Sequence, residues 1–96
     1  MMSLKEKMDS LPASKTMKII ELFFIEYQKI NLLKVKPTLA RYDESDYVRL
    51  VSKKLSDSAL EKELSKMVKT TQFSVLRIFM EIASELAKMA VMQNGQ

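Results

Sequence analysis

The chain has 96 residues with sixteen basic and twelve acidic side chains, a formal net charge of +4, and neither cysteine nor histidine. Without those two residue types, disulfides, thiolate nucleophiles, histidine bases and soft-metal sites are excluded, so we expect no enzyme, no cofactor and no metal. One glycine and two prolines are too few for the turns of a β-protein. The expected fold is all-α, a compact bundle of four to five helices forming a single domain over residues 1–96.

The first predicted helix is short and lies at the N-terminus. Ser3 and Glu6 have the spacing of a capping box, in which each side chain satisfies a backbone N–H of the other. Leu4 and Met8 lie four residues apart, so they share one helical face. The alternative for residues 1–12 is a disordered terminus.

The second predicted helix covers residues 13–32. Two apolar side chains, Leu22 and Ile25, fall inside its polar sector when successive residues are placed 100° apart. They are the candidate partner interface; the alternative is that the N-terminal segment covers them. The line of residues expected to face the core is Met17, Ile20, Phe24 and Tyr27.

A connection and a third helix follow. Pro37 ends or follows the second helix, which makes residues 34–43 the longest connection. The acidic run from Asp43 to Asp46 suits a helix N-terminus, because carboxylates stabilise the positive end of the helix dipole. A hard cation bound by these carboxylates is the less favoured alternative. The third helix is expected over residues 45–55.

Two further helices complete the predicted bundle. Ser58 and Glu61 have capping-box spacing and begin a helix that ends near residue 68. The last helix, residues 70–92, is apolar around most of its girth, which is typical of a central helix. We therefore expect the others to pack around this long hydrophobic C-terminal helix, with Phe79 buried. Residues 93–96 are expected to be loose.

Basic residues cluster in the middle of the chain and are the main functional signal. Lys62 and the lysines four and seven positions later share a helical face. If the third and fourth helices pack side by side, the basic side chains form one stripe suited to phosphate contacts. A plain solvated surface is the alternative, because Glu61 and Glu63 lie beside these lysines. The predicted nucleic-acid-binding residues are Lys34, Lys36, Arg41, Arg49, Lys53, Lys54, Lys62, Lys66 and Lys69.

One segment carries a family resemblance. The run from Ser74 to Ile82, after Lys69-Thr70-Thr71, resembles the Thr-rich turn followed by Ser-x-aliphatic-Arg-x-Phe in small helical subunits of type III CRISPR effector complexes, with two additional residues before the serine. The helix around Tyr47 is similar in placement, and the match covers about a third of the chain. The resemblance implies a non-catalytic bundle that lines a ribonucleoprotein filament. Its basic face would touch the guide or target backbone. Arg77 is the one charge of the motif that this sequence carries, and its alternative role is an ion pair with Glu81 on the helix surface.

These patterns predict a non-enzymatic, basic helical subunit that contacts a DNA or RNA backbone beside larger protein subunits. One alternative is an accessory subunit of a DNA polymerase or replication assembly. Another is a protein-interaction module without nucleic-acid contact, such as a homodimer, an adaptor or an inhibitor. Charged residues interrupt the N-terminal segment where a secretory signal would be apolar, so we expect a cytoplasmic protein without membrane contact.

Overall fold

The computed structural model describes residues 2–33 and 41–94, with side chains described for 2–30 and 41–89. These residues contain five helices and no strand, apart from one isolated bridge between Tyr42 and Thr71. The all-α bundle predicted from the sequence is confirmed. The helices are α1 (Leu4–Ser10), α2 (Ala13–Leu33), α3 (Glu44–Ser52), α4 (Asp57–Val68) and α5 (Phe73–Asn94).

Two helices begin at capping boxes. The Ser3 hydroxyl accepts the Glu6 N–H at 3.1 Å, and the Glu6 carboxylate accepts the Ser3 N–H. Asp43 and Asp46 form the same reciprocal pair at the start of α3. Because the first N–H groups of a helix have no partner within the helix, such caps fix where it starts. Of the two alternatives for the N-terminal segment, a short helix or a disordered terminus, the structure has the helix over residues 4–10.

The starts of α4 and α5 differ from the predicted ones. Ser56, and not Ser58, caps α4, because its hydroxyl accepts the N–H of Ala59. Thr70 and Thr71 lie in the turn before α5, and the backbone carbonyl of Gln72 accepts the N–H groups of Val75 and Leu76. Gln72 also donates its own N–H to the carbonyl of Tyr42. This backbone contact holds the start of α5 against the start of α3.

The centre of the core is a cluster of three aromatic rings. Phe23 of α2 stacks on Phe79 of α5 with ring centroids 4.0 Å apart. Tyr47 of α3 packs edge-on against both rings, at 5.9 Å from Phe23 and 5.3 Å from Phe79. All three side chains are fully buried. The predicted burial of Phe79 is confirmed, and the cluster joins three helices that are far apart in sequence.

Among the described residues, the predicted central position of α5 is not confirmed. α2 packs along α4 and also contacts α1 and α5, whereas α3 packs mainly on α1. Two large apolar residues of α5 are exposed, Phe73 by 71% and Met80 by 55%. Since α5 is apolar on most sides, periodicity could not decide which side meets the core. The side that does so carries Val75, Leu76, Phe79 and Ile82.

The orientation of α2 also corrects the predicted partner interface. Leu22 is only 7% exposed and belongs to the core cluster, so it is not available to a partner. It lies three residues after Ile19 and four before Glu26, both buried, and therefore shares their face. Ile25 is 40% exposed, and Met17, which was expected inside, is exposed as well. Because other helices contact α2 on several sides, the face that it buries differs from the face predicted from its own sequence.

The N-terminal helix α1 is held by three other helices. Leu4 and Met8 are fully buried, and the Leu4 N–H donates to the Glu44 carboxylate of α3 at 2.7 Å. Lys5 donates to Glu85 of α5 at 2.7 Å, and this hydrogen bond raises the pKa of Lys5. The Thr16 hydroxyl of α2 donates to the carbonyl of Met8 at 2.8 Å. Across residues 2–33 and 41–94, none of the helices combines the length and apolar character that crossing a membrane requires.

Candidate nucleic-acid interface

The exposed face of α4 carries the lysines predicted from the sequence. Lys62 and Lys66 lie on it, and Lys69 follows as the C-terminal cap. The opposite face, which includes Leu60 and Leu64, is buried against α2. All three lysines are exposed, and none forms an ion pair with another described residue. Lys66 and Lys69 therefore present their ammonium groups to solvent, as does Lys62, which lies beside Glu61 at the edge of a groove.

The α3–α4 connection places two more predicted lysines at a cleft. Lys53 and Lys54 line its wall, and Lys7 and Lys15 line it from the α1–α2 side. The cleft has a volume of about 510 Å³. Sequence reasoning missed Lys7 and Lys15, because each lies about forty residues before the lysines it meets, and no spacing rule links such distant positions. Lys15 also bridges the two walls, since its ammonium group donates to the carbonyl of Leu55 at 3.2 Å.

The remaining predicted basic residues are dispersed. Arg41 is exposed, and its backbone N–H donates to the carbonyl of Thr70. Arg49 forms an ion pair with Asp46 one turn earlier on α3. Lys34 and Lys36 lie outside the described residues. Because α3 packs on α1 and α4 packs on α2, the two middle helices do not form the single stripe that side-by-side packing would give.

Acidic side chains near α3 are engaged within the protein. Asp43 accepts hydrogen bonds from the Ser45 hydroxyl and the Asp46 N–H, and these bonds lower the pKa of Asp43. Glu44 accepts the Leu4 N–H, as described above. Among the described residues, no group of three or more metal-ligating side chains is placed to hold a metal ion. The acidic run therefore acts as a helix start and as an anchor for α1.

A shallow groove between α2 and α4 has mixed charge. It is lined by Glu26, Lys29, Glu61 and Lys62, with two serines. The buried carboxylate of Glu26 pairs with Lys29 at 3.1 Å. Because each lysine of this groove has an acidic neighbour, the groove is a poorer phosphate site than the cleft, whose described lining contains no acidic side chain.

A separate apolar face lies on α5. Phe73 and Met80 are seven residues apart, so they share a helical face, and both are exposed. Arg77, Ser84 and Ala87 are exposed on the same face. Large exposed apolar side chains in one line are a feature of protein interaction surfaces. Among the described residues, this face is exposed together with Met17 and Ile25 of α2, whereas Leu22 is buried.

Known proteins provide no relative from which the role of these surfaces could be transferred. The chain matches no protein-family model, no curated protein and no solved structure. The interface is therefore interpreted from its residues and their geometry.

Proposed function

We propose that this chain is a non-enzymatic helical subunit that contacts the phosphate backbone of DNA or RNA within a larger protein assembly. The observation that carries the proposal is the set of exposed lysines along one face of α4 that form no ion pair with a described residue. Phosphate contacts require positive charge at the surface and no base readout, which such a face supplies. Lys53 and Lys54, in the connection that precedes this helix, add two further contacts.

A finer proposal concerns the kind of assembly. The segment that resembles small subunits of type III CRISPR effector complexes forms the first turns of α5. Its Ser74 and Arg77 are exposed, and its Phe79 is buried in the aromatic cluster. A helical bundle with a basic face and an exposed motif arginine suits a position beside the nucleic acid of a ribonucleoprotein filament. The resemblance supports this assignment over a replication assembly.

Salt dependence tests the proposal most directly. Each phosphate contact releases condensed counterion, so five contacts by Lys53, Lys54, Lys62, Lys66 and Lys69 imply a log–log slope of about −4.5 on duplex DNA and about −3.5 on a single strand. Affinity should differ little between base sequences, because phosphates carry no sequence information. Fluorescence anisotropy over a range of salt concentrations measures both quantities.

A matched pair of charge-reversal variants locates the contact. Changing Lys62, Lys66 and Lys69 to Glu should abolish binding and leave the helical circular dichroism unchanged, because exposed positions tolerate substitution. The control changes Lys18, Gln28, Ser84 and Lys88 to Glu, which lowers the net charge equally but at positions outside the α4 face. Binding that survives the α4 variant, or falls equally in both variants, would contradict the proposal.

A protein-interaction module remains the second candidate, and the exposed apolar face of α5 favours it. If this face joins two copies, sedimentation velocity should show concentration-dependent association. Changing Phe73 and Met80 to Glu should then produce a folded monomer, since neither side chain is buried. A wild-type chain that stays monomeric at all concentrations would remove the homodimer.

A further inference from the structure

We infer that the cleft between the α1–α2 turn and the α3–α4 connection holds a nucleotide of a single-stranded nucleic acid; this inference rests on the proposed function and adds a specific subsite to it. One wall is formed by Leu11 and Pro12, which link α1 to α2. The other wall is the segment from Ser52 to Ser56. The volume of about 510 Å³ lies within the range of roughly 300–1,000 Å³ that is usual for small-ligand sites.

The charge of the cleft selects an anion. Four lysines, Lys7, Lys15, Lys53 and Lys54, line it, and no acidic residue is among the described residues that do so. None of these lysines forms an ion pair with a described residue. The hydrogen bond of Lys15 to the carbonyl of Leu55 uses one of its three donors and holds the ammonium group between the walls. A phosphate bound here would meet cationic groups from both walls.

The apolar part of the cleft favours an anion with an attached apolar group. Leu11, Pro12, Val51 and Leu55 line the same cleft as the lysines. Inorganic phosphate has no apolar surface that could pack on these side chains, whereas the flat, weakly polar face of a nucleobase can do so. A base in a duplex is stacked and paired and cannot enter, but an unpaired base can leave its neighbours. Lysines around an aliphatic surface therefore favour a single strand, with its phosphate on the lysines and one base on the apolar side chains.

The first test compares three probes on the wild-type chain: a fluorescein-labelled oligothymidylate, an abasic strand of equal length and charge, and a duplex. Base stacking on aromatic side chains contributes about 1–3 kcal/mol per base. For an aliphatic surface we expect the low end, which is about a fivefold preference for oligothymidylate over the abasic strand. The duplex should also bind more weakly than oligothymidylate. Equal binding of the thymidylate and abasic strands would overturn the inference.

The second test uses variants that keep the fold, since Lys53 and Lys54 are exposed. Changing both to Gln should reduce the single-strand salt slope by about 1.4, which is about 0.7 for each lost contact. It should also reduce the preference for oligothymidylate over the abasic strand. The matched control, Lys62 and Lys66 to Gln, should lower the slope equally and leave that preference intact, because those lysines lie outside the cleft.

The outcomes separate this inference from the proposed function. If the α4 variants weaken binding while the Lys53 and Lys54 variant does not, the cleft is not a subsite and the proposed function stands. If no variant changes binding, both fail. A last measurement uses a peptide of mixed glutamate and leucine as a competitor of oligothymidylate binding. If it displaces oligothymidylate at equal concentration, the cleft recognises acidic apolar chains in general, and the assignment to a nucleotide is overturned.

Discussion

Phe23, Tyr47 and Phe79 each bring one ring to the point where α2, α3 and α5 meet. The stacked Phe23–Phe79 pair has apolar neighbours on all sides, and Tyr47 completes the cluster edge-on. Aromatic pairs of this geometry add about 0.5–1.5 kcal/mol beyond the burial of their surface. Because each ring comes from a different helix, emptying one position removes packing from all three.

Phe79→Ala should therefore lower the free energy of unfolding by about 3–5 kcal/mol, the usual cost of emptying a large aromatic site. The same helix provides a matched control, since Phe73 is 71% exposed. Phe73→Ala should change stability by no more than about 0.5 kcal/mol. Urea denaturation of the two variants measures both values. A similar loss in both would mean that the core does not lie on the Phe79 side of α5.

The Tyr47 hydroxyl gives a second prediction at this scale. Thr71 donates its hydroxyl hydrogen to the carbonyl of Met67 at 2.7 Å, so Tyr47 must donate to the Thr71 oxygen, 2.5 Å away. Tyr47→Phe removes this bond and should cost about 0.5–1.5 kcal/mol at neutral pH.

Burial raises the pKa of Tyr47, so the folded chain keeps a proton that the unfolded chain loses near pH ~10. Stability should consequently fall as the pH rises above about 10, because the folded state then binds more protons than the unfolded state. The Tyr47→Phe chain should lose less stability over the same interval, while lysine deprotonation affects both chains alike. Urea midpoints at about pH 8 and about pH 11 test this, and parallel declines in the two proteins would contradict it.

At the scale of elements, helix positions were predictable from the sequence and helix orientations were not. Caps such as Ser3–Glu6 and Asp43–Asp46 are local signals, because each needs only residues three apart. The rotation of α2 depends on what covers it. Its apolar residues occur on most sides, so the pattern is compatible with several rotations, and contacts with α1, α4 and α5 select the one that buries Leu22.

The contribution of α1 to the free energy of unfolding can be measured through its buried residues. Met8 is fully buried, and its carbonyl accepts the Thr16 hydroxyl. Met8→Ala should cost about 2–5 kcal/mol, the range for emptying a buried methionine site. Met17→Ala, at an exposed position of the next helix, is the control and should be close to neutral. If Met8→Ala were also neutral, α1 would not be a part of the folded core.

At the scale of the whole molecule, the lysines of α4 could be predicted and the cleft could not. Lys62, Lys66 and Lys69 follow helical spacing, which a single segment reveals. The cleft joins Lys7 and Lys15 to Lys53 and Lys54, residues that only the tertiary fold brings together. Counting charges along the sequence does not reveal this cleft, because the cleft forms only where the fold brings the α1–α2 turn and the α3–α4 connection together.

The last prediction concerns cooperativity. The aromatic cluster joins α2, α3 and α5, α4 packs along α2, and α1 is anchored to α3, α5 and α2. No helix has a core of its own among the described residues, so local unfolding of one should expose the buried surface of the others. We therefore expect a single two-state transition in urea, with a slope of about 1–3 kcal/mol/M.

Two independent probes can test this cooperativity. Far-ultraviolet circular dichroism follows all the helices, while tyrosine fluorescence follows the packing of Tyr47 and its neighbours, since the chain contains no tryptophan. Coincident midpoints and equal slopes from the two probes would confirm one cooperative unit. An earlier fluorescence change that is present in the wild-type chain and absent from Tyr47→Phe would mean that α3 detaches before the other helices. The Tyr47→Phe chain is the control, because its dichroism should still show one transition while the fluorescence change attributable to Tyr47 is lost.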